Sequence, residues 1–208
     1  MLKKTTLLLL VLVLPVAIYL FLKGFGQNQY EVSVYHLMDP EGCGDVARTF
    51  IVPANKTNKD SSLGKMDSDG FKVINFLTDS SVNNQFSLYV LNLTRAYDAF
   101  FDSRDVYFIS LVTPILDSEK AIEKFNRERD KTLSDSEKWL INDSMDLKAY
   151  KAFLKCGLGL ESDKKDPAHT IVLVDKKNRV RGYYDGLSNE DTERLILEIR
   201  ILQNDEQD

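Results

Sequence analysis

HTIVLVDKKNRVRGYYDGLSNEDTERLILEIRIL, residues 169–202, decides the fold. Residues 170–174 are a β-branched and aliphatic run, and residues 180–184 are a second one. Lys176-Lys177-Asn178-Arg179 between them is a turn, so the segment predicts a hairpin. Tyr183 and Tyr184 fall on opposite faces of the second strand, one toward the core and one toward the surface. Asp185 and Gly186 make a turn. Asn189 then caps a helix whose Leu195, Ile196, Ile199 and Leu202 recur at helical spacing and face the core.

Working upstream, the periodicity alternates. Residues 72–77 (KVINFL) and 105–112 (DVYFISLV) read as buried strands. Residues 87–101 read as a helix with Leu88, Leu91, Ala96, Tyr97, Phe100 and Phe101 as its apolar positions. Ser118 caps a helix carrying Ala121, Ile122 and Phe125. Residues 137–141, with the only tryptophan, Trp139, make a short strand. Asp146 caps a helix over 147–156 that Gly157 and Gly159 stop. Strand–helix–strand units with short links imply parallel neighbours, and the closing hairpin adds antiparallel strands. The expected fold class is α/β: a mixed sheet flanked by helices, in the element order of a thioredoxin-like domain.

The N-terminus predicts a separate element. Residues 5–22 form an uncharged run of 18 residues after Lys3 and Lys4, close to the length of a bilayer-spanning helix. The lysine bias places the N-terminus in the cytoplasm and the remainder outside. The expected organisation is a transmembrane signal-anchor over 1–23, a linker over 24–45 and a domain over 46–208. The protein would then be a single-pass protein of the inner (cytoplasmic) membrane, its C-terminal domain periplasmic or otherwise extracytoplasmic. Leaving out Lys3, Lys4 and Lys23 leaves 24 of the 27 basic residues against 32 acidic ones, a net charge of −8. No basic stripe is present, which argues against nucleic acid as a partner. Asn-x-Ser/Thr triplets occur at Asn55, Asn92 and Asn142, with Asn92 inside an expected helix.

Residues 45–202 resemble the Sco/SenC family. The matching features, in order, are the strand end Ile74-Asn75-Phe76-Leu77-Thr78 and the helix Leu91-Asn92-Leu93-Thr94-Arg95-Ala96-Tyr97-Asp98. Thr113, Pro114 and Asp117-Ser118 follow the second strand. Trp139-Leu140 comes next, then His169-Thr170 before the hairpin, and Arg181-Gly182-Tyr183-Tyr184-Asp185-Gly186. The resemblance implies a membrane-anchored thioredoxin-like domain related to copper delivery and cytochrome oxidase assembly. It also implies a metal-ligand role for His169, with respiratory-complex subunits or an active Sco-like relative as partners.

The family's other two ligands are cysteines in a C-x-x-x-C loop after the first core strand. Cu(I) is soft and prefers thiolates, and two thiols on one loop can also cycle to a disulfide. Here that loop, residues 78–86, reads TDSSVNNQF. Ser80 and Asn84, or Val82 and Phe86 in the other alignment, stand where the cysteines would be, and no cysteine occurs between Cys43 and Cys156. No catalytic residue and no cofactor are expected. A lone imidazole makes a poor metal site, and the plainer reading of His169 is a polar residue at a strand start. Two functional readings stand. The first is a membrane-tethered binding or assembly factor without thiol or copper chemistry. The alternative is a metal carrier or thiol oxidoreductase with relocated ligands Cys43, Cys156 and His169, which would bind copper. Cys156 also reads as a small buried hydrophobe, and two cysteines outside the cytoplasm permit one disulfide.

Overall fold

A computed structural model describes residues 2–25, 32–37, 70–78, 85–114, 116–131, 139–143, 145–160 and 167–205. The chain divides into two compact units, Met1–Glu31 and Val32–Asp208. The first contains helix α1, Leu2–Phe25, which runs through Pro15 and encloses the expected span 5–22. The side chains described in α1 are those of Lys4 and residues 11–21. Among the described residues no helix is long and apolar enough to cross a membrane.

The second unit is built on a six-stranded mixed sheet in the order β1-β6-β5-β2-β3-β4. Its strands are β1 (His36–Leu37), β2 (Phe71–Leu77), β3 (Val106–Val112), β4 (Trp139–Asn142), β5 (Thr170–Val174) and β6 (Arg179–Asp185). The central strand β2 runs parallel to β3, with Ile74 opposite Ile109, and antiparallel to β5, with Ile74 opposite Val172. The parallel β2–β3 and β3–β4 pairs are joined through α2 (Phe86–Asp98) and α3 (Ser118–Arg129). The β5–β6 pair is the expected hairpin, and α5 (Asn189–Asp205) follows it.

Both faces of the sheet are buried, so every residue of β2 is buried, Lys72 and Asn75 included, rather than every second one. Its period of two sends Phe71, Val73 and Leu77 into one apolar cluster with Leu93, Phe125, Leu195 and Ile199. Ile74 and Phe76 enter a second cluster with Tyr150, Phe153 and Leu154. Tyr184 is buried in the first cluster, its hydroxyl donating to Glu198 at 2.6 Å. Tyr183 does not stand free on the surface: it packs on the second cluster and donates its hydroxyl to the Leu158 carbonyl at 2.7 Å.

Several expectations shift. The buried stripe of α2 is Phe86, Tyr89, Val90, Leu93, Ala96 and Tyr97, whereas Leu88 and Leu91 are exposed. The stripe follows the i, i+3, i+4, i+7 period, which the two leucines break. Phe101 is likewise exposed. Asp117, not Ser118, caps α3, its carboxylate accepting from the Lys120 backbone N–H. The last helix is capped by Ser188, not Asn189, which is already its first residue; the Ser188 hydroxyl accepts from the Asp191 N–H at 3.1 Å. The helix expected over 147–156 is two pieces: α4 (Leu147–Ala152), capped by Asp146 as expected, and a π-turn, Phe153–Gly157. Residues 32–37 fall inside the expected linker 24–45, yet they lie along the sheet edge: His36 pairs with Val180, and Val32 is buried in the first cluster.

Candidate functional site

The site is assembled where β2 ends, α2 begins and β5 starts. Thr78 closes β2 and is buried. Residues 79–84, including Ser80, Val82 and Asn84, lie outside the described residues. Gln85 leads into α2, whose first residue, Phe86, is buried edge-on against Phe125 at 6.4 Å. One turn on, Tyr89 is fully buried. Its hydroxyl lies 3.3 Å from the Phe76 amide nitrogen and 3.4 Å from the Phe76 carbonyl. Burial pushes its pKa well above the ordinary tyrosine range, so it stays a neutral phenol.

A polar line crosses the sheet beside it. The Ser110 hydroxyl donates to Asn75 Oδ1 at 2.9 Å and accepts from the Trp139 indole N–H at 2.9 Å. These two bonds link three buried polar side chains across β2, β3 and β4, while Asn75 Nδ2 has no hydrogen-bond partner among the described residues.

His169 packs against this cluster. Its ring meets the Tyr89 ring at 5.3 Å, edge to face. Its backbone is left-handed, with φ 62°, a conformation that costs a non-glycine residue energy. The surroundings hold it there. The His169 carbonyl accepts from the Gly186 N–H at 2.7 Å. The Gly186 carbonyl in turn accepts from Asn92 Nδ2 at 3.0 Å, and Asn92 is fully buried in α2. A Cβ on Gly186 would lie 2.4 Å from the Tyr89 ring and 2.9 Å from the His169 carbonyl oxygen, so only glycine fits that approach. His169 Nε2 is buried and, among the described residues, has no hydrogen-bond partner.

Three contributors to this cluster, Tyr89, Asn92 and Gly186, go unnoticed as site residues in the sequence. Gly186 belongs to the best-matching segment of the resemblance, but it reads there as a turn. Asn92 reads as an acceptor triplet. Its burial, and the near-complete burial of Asn142, removes both as modification sites on the folded chain.

Cys156 sits elsewhere, in the π-turn on the opposite face of the sheet, 7 % exposed. It is disulfide-bonded, so it is not the free buried thiol that one reading of the sequence expects. The chain's only other cysteine, Cys43, lies outside the described residues. Among the described residues no group of three or more His, Cys, Asp or Glu side chains is placed to hold a metal. Among the described residues, the groups around His169 are an amide, a phenol and backbone groups, and a disulfide sulfur supplies no thiolate. This set does not fit Cu(I).

No protein-family model matches the chain, and neither does any curated protein. Among solved structures it is similar to a SCO1/SenC family lipoprotein from Bacillus anthracis str. Ames. The TM-score is 0.52 and the identity 20 %, over 65 % of this chain and 83 % of that one. It is also similar to BsSco, described as a member of the Sco family of cytochrome c oxidase assembly proteins with a disulfide switch. There the TM-score is 0.48 and the identity 15 %, over 63 % of this chain and 78 % of that one. The soluble domain of Sco1 from Bacillus subtilis matches at TM-score 0.44 and 15 % identity, over 82 % of this chain and 92 % of that one. At these identities the likeness is one of fold: the structural neighbours are Sco/SenC proteins, and the domain is thioredoxin-like, as the element order and the resemblance both imply.

Proposed function

We propose that this chain is a membrane-tethered, extracytoplasmic Sco-like protein that acts by binding, as an assembly factor for respiratory-complex subunits or beside an active Sco-like relative, without thiol or copper chemistry of its own. The observation that carries this reading is a preserved scaffold around a cysteine-free loop. His169 comes to the mouth of α2, but no thiolate is available in residues 78–86 to share a metal with it. The relocated-ligand alternative loses support from the disulfide at Cys156, because both metal binding and thiol exchange need a thiolate.

The tether rests on α1. Val11, Leu12, Leu14, Ile18, Leu20 and Phe21 stand exposed on it, and apolar side chains exposed on several sides of a helix call for an apolar solvent. At about 1.5 Å per residue, 5–22 gives roughly 27 Å, and Lys4 and Lys23 flank the run, the kind of residue that can bridge a small shortfall in span length. Pro15 removes one backbone hydrogen bond without preventing insertion.

One preparation tests both halves. The chain is expected to stay in membranes washed with alkaline carbonate. After detergent extraction with its disulfide intact, it is expected not to withdraw Cu(I) from a chromogenic chelator. Release by carbonate would remove the tether. Stoichiometric Cu(I) capture that disappears in His169→Ala would overturn the thiol-free reading.

A further inference from the structure

Cys156 takes no part in the cluster around His169, yet the turn that carries it is connected to the N-terminal arm, residues 32–37, by an unbroken series of contacts. The π-turn is closed by the Leu158 N–H donating to the Phe153 carbonyl at 3.1 Å. Leu158 is fully buried, and its own carbonyl accepts the Tyr183 hydroxyl at 2.7 Å. The Tyr183 ring meets the Tyr35 ring edge to face at 5.8 Å. Tyr35 belongs to the arm, and its N–H donates to the Val180 carbonyl at 2.9 Å.

The turn is sterically tight. A Cβ on Gly157 would lie 2.8 Å from the Phe153 ring, so glycine next to Cys156 is what lets that ring pack against the turn. The arm, by contrast, is lightly held. Its ladder is two residue pairs, His36 with Val180 and Leu37 with Arg179, reinforced by the Arg181 guanidinium on the Val32 carbonyl. So short a strand is marginal without help from packing.

We propose that the redox state of Cys156 controls the docking of the 32–37 arm. With the disulfide closed, the π-turn presents the Leu158 carbonyl to Tyr183, and Tyr183 presents its ring to Tyr35. A dithiol reductant opens the switch. The sulfur–sulfur bond at Cys156 breaks, and the dithiol gives up two electrons and two protons and becomes a disulfide. Cys156 and its former partner are left as thiols. The relaxed turn then withdraws the Leu158 carbonyl, Tyr183 loses its anchor and the arm leaves the sheet edge. On the tethered reading, release adds residues 32–37 to the connection between anchor and domain, about 20 Å of extended chain. The docking switch itself does not depend on the tether.

Hydrogen exchange on the full chain in detergent, with and without dithiothreitol, reads the arm directly. Reduction is verified by alkylation. Peptides covering Tyr35 are expected to exchange about tenfold faster or more after reduction, while β2 and β5 keep their protection. Tyr183→Phe, which removes only the hydroxyl, is expected to free the arm with the disulfide still closed. Equal arm exchange in the two redox states would overturn the proposal, as would acceleration spread evenly over the sheet. So would a disulfide that dithiothreitol fails to open in the folded chain.

Discussion

Asp175→Ala is expected to destabilise the domain by about 3–5 kcal/mol, the loss typical of stripping one partner from a buried ion pair. Asp175 is 1 % exposed. Its carboxylate accepts from Arg179 Nε at 2.7 Å and from the backbone N–H groups of Lys177 and Arg179, both at 2.9 Å, and it lies 3.4 Å from the Arg181 guanidinium. Arg179 reaches solvent and can rehydrate. Arg181, with its side chain 7 % exposed, cannot, and its Nε already lacks a partner among the described residues. Removing the carboxylate therefore strands a charge beside the hairpin and beside Val32. Urea denaturation followed through the fluorescence of Trp139, the only tryptophan, measures the loss. A cost under about 1 kcal/mol would show that Arg181 is hydrated and that the pair is a surface one. Asp175→Asn keeps acceptors for the two backbone N–H groups and is expected to fall between the variant and the wild type.

The second large effect is expected at Gly186. Alanine there places a methyl group 2.4 Å from the Tyr89 ring and 2.9 Å from the His169 carbonyl, an overlap that a packed core relieves only by moving side chains or backbone. Overpacking of this kind costs about 1–3 kcal/mol. The neighbour that must yield is a fully buried tyrosine, which puts the expected cost at the upper end. His169 is expected to move with it, because its carbonyl is held by the Gly186 N–H. The histidine ring protons, shifted by the Tyr89 ring current in the wild type, should drift toward free-imidazole positions in Gly186→Ala. Tyr89→Leu removes most of the obstructing ring, so the double variant is expected to lose less than the sum of the two single losses. Additive losses would place the strain elsewhere.

The hairpin and the α/β order were readable because they depend on local information. A β-branched run, a four-residue turn and a second run make a hairpin whatever surrounds them. The phase of α2 was not readable. Leu88 and Leu91 are the more hydrophobic residues, but Tyr89 takes the core position, and its hydroxyl reaches the end of β2 at Phe76. The place of His169 directly before the hairpin follows from the sequence. Its left-handed backbone does not, because that depends on Gly186 after β6 and Asn92 in α2, residues that only the folded chain brings together. The π-turn is hidden for a similar reason: Gly157 looks like a helix stop, and its tight fit under Phe153 is a tertiary fact. The arm at 32–37 has strand-like composition, but its partner strand lies at the far end of the chain.

What separates this chain from a thiol-dependent Sco-like protein is the availability of cysteine. The chain has two cysteines, neither in residues 78–86, and Cys156 is already in a disulfide. Titration with Ellman's reagent in denaturant, before and after reduction, measures this on the protein purified from membranes without reductant. The account predicts no reactive thiol before reduction and both cysteines reactive after it. A reactive thiol before reduction would contradict the account and return Cys156 to the set of possible ligands and nucleophiles.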